Sequence, residues 1–164
     1  MSSLNSTDVP PPGAVGTPAP DFTLRDQFGQ DVTLSSFRGQ KAVALVFFPW
    51  AFSNVCTSEM TGIRDRLDEF LTFDTEVLAI STDPTYSLRV FADADGLNFP
   101  VLSDFWPHGA VAKEYGVFNE ALGCANRATF VLDKEGVVTS TFASPDLGTP
   151  RAKAEYEEAL ARVS

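Results

Sequence analysis

Two cysteines and one histidine are the residues whose types suggest covalent chemistry in this chain of 164 residues. Cys56 follows a continuous apolar run at 42–48 that is ended by Pro49, and it precedes apolar residues spaced three and four apart. This order predicts that Cys56 lies in the first turn of a helix, at the carboxyl end of a buried strand. Backbone N–H groups and the helix dipole there favour the thiolate, which is the nucleophilic form. We therefore interpret Cys56 as a reactive thiol.

Three kinds of cysteine chemistry can be weighed from spacing alone. Dithiol exchange through a Cys-x-x-Cys motif is excluded, because Ser53 and Glu59 occupy the positions three residues before and after Cys56. A cysteine hydrolase needs an imidazole, and the one candidate, His108, stands in a predicted loop or helix start. Cys124 lies 68 residues beyond Cys56, so no close ligand pair predicts a metal site, and no cofactor is expected.

The elements that must position these residues are predicted from hydrophobic periodicity. The segments 22–24 and 32–34 predict an N-terminal β-hairpin. Buried strands are predicted at 42–48 and 77–80, a shorter apolar segment at 99–102, and an antiparallel hairpin at 128–132 and 137–142. A helix is predicted at 56–71, with Ser53 or Asn54 as its cap, and another begins at Pro84, with Asp83 as its cap. Further helices are predicted at 110–115 and at 150–163. The fold class is therefore α/β, with a central mixed β-sheet flanked by helices.

Composition indicates how the chain is divided and which classes of partner it does not bind. Residues 1–16, rich in Pro, Ser and Gly, are predicted to form a flexible leader before one domain at 17–164. The net charge of −10 argues against nucleic acid and against anionic membranes. No apolar run approaches a bilayer span, so we expect a cytoplasmic protein. In the last helix, Arg151/Glu155 and Glu158/Arg162 are spaced to pair on an exposed face.

The segment Pro49-Trp50-Ala51-Phe52-Ser53-Asn54-Val55-Cys56 resembles the P-x-x-x-[T/S]-x-x-C motif of the peroxiredoxins. Similarity continues at 19–22 (APDF), at 115–117 (YGV) and at 126–130 (NRATF), and so covers nearly all of the chain after the leader. The segments 103–109 and 116–120 resemble in particular the AhpE-type one-cysteine peroxiredoxins. This resemblance implies a thioredoxin-like fold and a thiol-dependent peroxidase.

The resemblance also assigns roles to residues. Cys56 would attack a hydroperoxide and become a sulfenic acid. The Ser53 hydroxyl, the Cys56 backbone N–H and the Arg127 guanidinium would stabilise the leaving oxygen. Glu59 would orient Arg127, and Pro49 would shield the thiolate from water.

The same resemblance implies the partners, and other hypotheses stay open beside it. Trp50 would border the substrate pocket. An external reductant (mycothiol, mycoredoxin or thioredoxin) would recycle Cys56, and a homodimer is expected. Cys124 is interpreted as structural, with a resolving role as the alternative. A peroxide sensor without turnover and a Cys56/His108 hydrolase are the other hypotheses.

Overall fold

The computed structural model describes residues 10–163, so residues 1–9 of the predicted leader and residue 164 lie outside the described residues. The described part of the chain contains, in order, β1 (Thr23–Arg25), β2 (Asp31–Thr33), a short 3-10 helix (Leu34–Phe37), β3 (Ala42–Phe47), α1 (Asn54–Asp65), α2 (Leu67–Thr72), β4 (Thr75–Ser81), α3 (Thr85–Asp95), β5 (Val101–Ser103), α4 (Ala110–Glu114), β6 (Phe118–Asn119), β7 (Cys124–Ala125), β8 (Ala128–Leu132), β9 (Val138–Ala143) and α5 (Lys153–Ala161).

Seven strands form one mixed sheet in the order β2-β1-β5-β4-β3-β8-β9. The central strand β3 pairs in parallel with β4 and antiparallel with β8. The predicted hairpins are both present, as β1–β2 and as β8–β9. The predicted mixed sheet is therefore confirmed, and the run at 42–48 is apolar throughout because helices and loops cover both faces of β3.

The side chains of β3 and β4 alternate between two apolar layers. Ala44 and Val46 face a layer that is covered by α1, α2, α3 and α5. Val43, Leu45 and Phe47 face the opposite layer, which is covered by α4, the N-terminal hairpin and the 3-10 helix. Cys56 belongs to the first layer, so the sheet and α1 together enclose its sulfur.

The helix predicted at 56–71 is divided in two. Arg66, with φ −112° and ψ 18°, leaves the helical conformation between α1 and α2. Its backbone N–H still bonds the Ile63 carbonyl, and its Nε bonds the Gly62 carbonyl. The break reorients the chain so that Phe70 of α2 is buried in the same layer as α1. Apolar spacing alone does not detect this turn, because the pattern continues through it.

The last helix begins at Lys153, later than predicted. The two ion pairs predicted for it, Arg151/Glu155 and Glu158/Arg162, are both wrong. Arg151 precedes α5, so helical spacing does not place it beside Glu155; it is buried and turned toward the sheet instead. Arg162 donates to Ser140 Oγ at 3.3 Å rather than pairing with Glu158.

Candidate active site

The loop 48–53 leads from β3 to α1 and holds a strained backbone. The Ala51 N–H donates to Asp83 Oδ2 at 2.8 Å, which ties the loop to the end of β4. Phe52 has φ +71°, a conformation that is costly for an aromatic residue, and its ring packs edge-on against Phe91 at 5.4 Å. Asp83 was predicted to cap α3; its carboxylate turns back to the loop, and Pro84 occupies the cap position.

Ser53 is the N-cap of α1 and places Cys56 in the first turn. Ser53 is extended, with ψ 147°, and its Oγ accepts the Cys56 N–H at 3.2 Å. Of the two predicted caps, Ser53 is therefore the one present. Cys56 is fully buried and points to the same layer as Met60, one turn later. In this structure, the Cys56 N–H and the Ser53 hydroxyl, both predicted donors to substrate, bond each other.

Glu59 lies one turn after Cys56 and binds the side chain of Arg127. Arg127 Nη1 donates to Glu59 Oε1 at 2.8 Å, and Arg127 Nε donates to the Leu147 carbonyl at 2.7 Å. Both side chains of this ion pair are buried. The topology thus joins residues 68 positions apart, because β8 lies beside β3 and the start of α1 follows β3.

Arg151 binds the same carboxylate and was not predicted at the site. Its Nη2 donates to Glu59 Oε1 at 2.7 Å, and its Nε and backbone N–H both donate to Glu59 Oε2, at 3.1 and 2.6 Å. Its Nη1 reaches the carbonyls of Phe47 and Ala128 and the hydroxyl of Thr129. This guanidinium therefore also joins the ends of β3 and β8.

The charged groups of this cluster shift one another's pKa values. Burial alone raises the pKa of Glu59, but the hydrogen bonds and charge of Arg151, together with the charge of Arg127, outweigh it and lower that pKa. Glu59 is thus ionised at neutral pH. Two guanidinium groups and one carboxylate leave a net charge of +1. Burial lowers the pKa of Arg151, and the charges of neighbouring groups, Cys56 among them, raise it overall.

Cys124 is a second fully buried thiol, in β7. Burial raises its pKa to about 11, the charge of Cys56 adds to this effect, and Arg127 opposes it. Cys124 is therefore close enough to Cys56 for electrostatic coupling and is protonated at neutral pH.

Pro49, Trp50 and His108 are the remaining candidates from the sequence. Pro49 is buried in the loop, whereas Trp50 is 39% exposed beside it. His108 Nε2 bonds the Gly123 carbonyl at 2.7 Å, and within residues 10–163 no hydrogen bond joins His108 to Cys56. The same residues contain no cluster of three or more metal-ligating side chains. No helix in this range is long and apolar enough to cross a membrane.

The sequence did not predict Arg151 at the site, because an arginine near the start of a helix is usually exposed to solvent. The available signal was Pro150-Arg151 at the start of the predicted helix, where a cation is unfavourable next to the positive end of the dipole. A cation at that position needs a compensating partner, and Glu59 supplies it.

Known proteins resemble both the sequence and the fold. The model of the AhpC/TSA family matches residues 15–141. Alkyl hydroperoxide reductase E of Mycobacterium tuberculosis is 55% identical over 124 residues, which are 76% of this chain and 81% of that protein. The crystal structure of peroxidoxin BcpB from M. tuberculosis superposes with a TM-score of 0.79 and 33% identity, over 91% of this chain and 95% of that one. AhpC of Enterococcus faecalis gives a TM-score of 0.81 at 28% identity, over 90% of each chain.

A buried thiol at the start of a helix, on a mixed sheet shared with peroxiredoxins, defines a thiol peroxidase of thioredoxin-like fold. The chain belongs to the AhpC/TSA family of peroxiredoxins. Within this family it is similar to alkyl hydroperoxide reductase E. The predicted fold class, family and thiol-dependent peroxidase function are thereby confirmed.

Proposed function

We propose that Cys56 is the peroxidatic cysteine and that the enzyme reduces hydrogen peroxide and organic hydroperoxides. The thiolate attacks the terminal oxygen, an S–O bond forms as the O–O bond breaks, and the leaving oxygen takes a proton to depart as water or an alcohol. Cys56 is left as a sulfenic acid. One observation carries this proposal: the buried Glu59 carboxylate, one turn after Cys56, holds the two guanidinium groups of Arg127 and Arg151.

The other residues support the same step. Arg127 and the Ser53 hydroxyl stabilise the negative charge that develops on the leaving oxygen, and the Cys56 N–H joins them when peroxide displaces the Ser53 contact. Pro49, buried in the loop that leads to α1, excludes water from the thiol. Trp50, half exposed at the rim, contacts the organic part of the substrate. Glu59 orients Arg127 and does not touch the substrate.

An external thiol recycles the sulfenic acid in this proposal. Two reducing thiols return Cys56 to its thiol, with release of water and formation of a disulfide between them. Mycothiol, a mycoredoxin and a thioredoxin are the candidates, in a cytoplasmic setting. The support is Cys124, whose burial and raised pKa make it a poor nucleophile in the folded enzyme. The leader at 1–16 has no role in this chemistry, and residues 17–164 act as one domain.

We also propose that the enzyme is a homodimer formed through an aromatic face. Tyr86 and Trp106 are 86% and 81% exposed and line one groove with Phe105. Its rim carries Arg25 and Asp31, one charge of each sign. A neutral aromatic face suits a second copy of this chain, because the net charge of −10 repels the copies elsewhere.

Substitution of each cysteine tests the enzymatic proposal. Cys56→Ser abolishes steady-state peroxide consumption with an added thiol, whereas Cys124→Ser retains the first oxidation step. Survival of consumption in Cys56→Ser would reject the assignment. A peroxide sensor without turnover differs from the enzyme by stopping after one equivalent.

Mass spectrometry after one equivalent of peroxide separates the modes of resolution. A gain of one oxygen on Cys56 supports external resolution. Loss of two hydrogens in a bond between Cys56 and Cys124 supports the two-cysteine alternative instead. His108→Ala retains peroxide consumption if the enzyme is a peroxidase, and loses activity if Cys56 acts with His108 as a hydrolase.

A further inference from the structure

The loop 48–53 begins where the pairing of β3 with β4 ends. The Phe48 N–H still donates to a carbonyl of β4, at 2.9 Å. Pro49 follows and has no N–H to donate. Farther along the loop, a side chain makes the connection instead: the Ala51 N–H donates to Asp83 Oδ2 at 2.8 Å. Asp83, just beyond the end of β4, thus continues a contact that the strands themselves no longer make.

Further hydrogen bonds fix Asp83 in its place. The Ser81 hydroxyl donates to the same Oδ2 at 2.7 Å, and the Asp83 N–H donates to Ser81 Oγ at 3.3 Å. The hydroxyl of Ser103, in β5, donates to the Asp83 carbonyl at 2.6 Å. Pro84 follows directly and restricts the backbone of Asp83. The acceptor for the Ala51 N–H is therefore held by the ends of both β4 and β5.

The part of the loop that this bond secures leads directly to Cys56. Phe52 lies between Ala51 and Ser53 and has φ +71°, a conformation that persists only where the surrounding structure holds it. On one side, Ala51 is bound to Asp83. On the other side, Ser53 Oγ accepts the Cys56 N–H at 3.2 Å. The strained residue is thus held between two hydrogen-bonded neighbours, and loss of the first bond frees the chain just before the cap of α1.

The charge of Asp83 does not account for its place beside this loop. Burial is the largest cause of the raised pKa of Cys124, and the charges of Cys56 and Asp83 add to it. A negative charge near a thiol opposes the ionisation of that thiol. What Asp83 contributes is therefore the oxygen atom that accepts from Ala51.

We propose that Asp83 is a positioning residue for Cys56: its carboxylate holds the loop at Ala51 in the conformation from which α1 begins. The Ser53 cap and the thiol then keep the arrangement in which peroxide reacts. Asp83 acts through the loop backbone and not on the substrate. The consequence for catalysis rests on the proposed role of Cys56, whereas the hold on the loop does not.

Amide hydrogen exchange measured by NMR tests the hold on the loop without any peroxide. Asp83→Ala removes the acceptor, and we expect the Ala51 N–H to exchange at least about tenfold faster, as for the loss of one charge-assisted hydrogen bond. Asp83→Asn removes the charge but keeps an acceptor oxygen, so Ala51 exchanges as in the parent. Asp93→Ala removes the same charge from an exposed position of α3 and is the matched control, without effect at Ala51.

Urea separates opening of the loop from unfolding of the whole domain. Opening of the loop exposes little surface, so exchange at Ala51 in Asp83→Ala rises only weakly with low concentrations of urea, whereas exchange at Val46, in β3, rises steeply. Unchanged exchange at Ala51, or a urea dependence as steep as that of Val46, contradicts the proposal. If Asp83→Ala does not fold, Ser81→Ala replaces it: this variant lacks the hydroxyl that orients the carboxylate, and Ala51 must still exchange faster.

Stopped-flow oxidation of Cys56 by hydrogen peroxide tests the consequence for the reaction. We expect Asp83→Ala to react about tenfold more slowly, since a small displacement of a reacting group is costly. Asp83→Asn and Asp93→Ala react as fast as the parent. An Asp83→Ala rate equal to that of the parent, or an Asp83→Asn rate as low as that of Asp83→Ala, overturns the positioning role. If Cys56 is not peroxidatic, peroxide oxidises none of the variants at Cys56, while the exchange results stand unchanged.

Discussion

One carboxylate, one turn after Cys56, supports two buried guanidinium groups. Burying ions is costly unless each is paired and hydrogen-bonded. Glu59 meets this condition by accepting from Arg127 through one oxygen and from Arg151 through both. A thiolate at Cys56 brings the group of four charges to neutrality. The pairing of both guanidinium groups thus depends on Glu59 remaining ionised.

Glu59→Gln removes the negative charge between the two arginines. We expect a loss of about 3–5 kcal/mol in the free energy of unfolding, as for other broken buried ion pairs, and a fall of about 10² in the rate of peroxide reduction as Arg127 loses its orientation. Urea unfolding and stopped-flow oxidation of Cys56 measure the two effects. Glu158→Gln, on the exposed face of α5, is the matched control and changes neither.

The pH dependence of stability gives a second measure of the same residue. The pKa of Glu59 is lowered in the folded state from its usual 4.5. Its contribution to stability is therefore complete above pH 4.5 and is lost as the pH falls below 4.5 through the folded-state pKa. We expect the stability difference between the parent and Glu59→Gln to shrink over that acidic range. A difference that stays constant there contradicts the assignment.

Local sequence identified one half of this cluster and missed the other. Cys56 and its cap Ser53 belong to one helix start, where cap and spacing can be recognised in the sequence, whereas the role of Glu59 came from the resemblance. Arg127 was assigned from the resemblance, because no local rule joins it to residues 68 positions earlier. Arg151 was assigned to the helix surface, since the i, i+4 rule holds only inside a helix, and α5 begins two residues later.

At the scale of elements, the junction between β3 and α1 fixes the position of Cys56. Ser53 caps the helix through the Cys56 N–H. Phe52, immediately before it, holds a left-handed conformation that fastens the loop against α3. The junction thus places Cys56 in the first turn of α1, with its side chain in the buried layer between helix and sheet.

Ser53→Ala tests this junction. Loss of the cap costs about 1 kcal/mol in the free energy of unfolding, and loss of the hydroxyl from the site slows peroxide reduction, which stopped-flow fluorescence follows. Ser53→Thr retains the hydroxyl and is the matched control: stability and rate stay near those of the parent. If the Ala variant reacts as fast as the Thr variant, the hydroxyl has no part in the step.

The elements found by periodicity are those long enough to show a period. β3, β4, β8 and the body of α1 agree with the sequence within a few residues, because each buries one regular face or two. The strands β6 and β7 have two residues each, too few for an alternation. The turn at Arg66 was hidden because α1 and α2 continue the same apolar face.

At the scale of the whole molecule, the strand order brings together residues that lie far apart in the sequence. β8 pairs antiparallel with β3, so Ala128 lies opposite Phe47, and the residue before Ala128 meets the helix that follows Phe47. Sequence predicted a hairpin at 128–142 but not which strand it joins, since a register between distant strands is set by packing of the whole core. The resemblance supplied that information through the family's fold.

Assembly is the remaining property at this scale, and the aromatic face makes it testable. A stable dimer needs about 800 Å² from each partner, and Trp106 supplies up to roughly 200 Å² of that with its ring. Trp106→Glu places a charge in the face, so we expect the dissociation constant in analytical ultracentrifugation to rise at least about 100-fold. Leu71→Glu, an equally apolar but isolated exposed position on α2, leaves it unchanged. Because Cys56 and its cluster belong to a single chain, the Trp106→Glu monomer still oxidises at Cys56. A monomeric parent, or a dimer insensitive to Trp106→Glu, places the contact elsewhere.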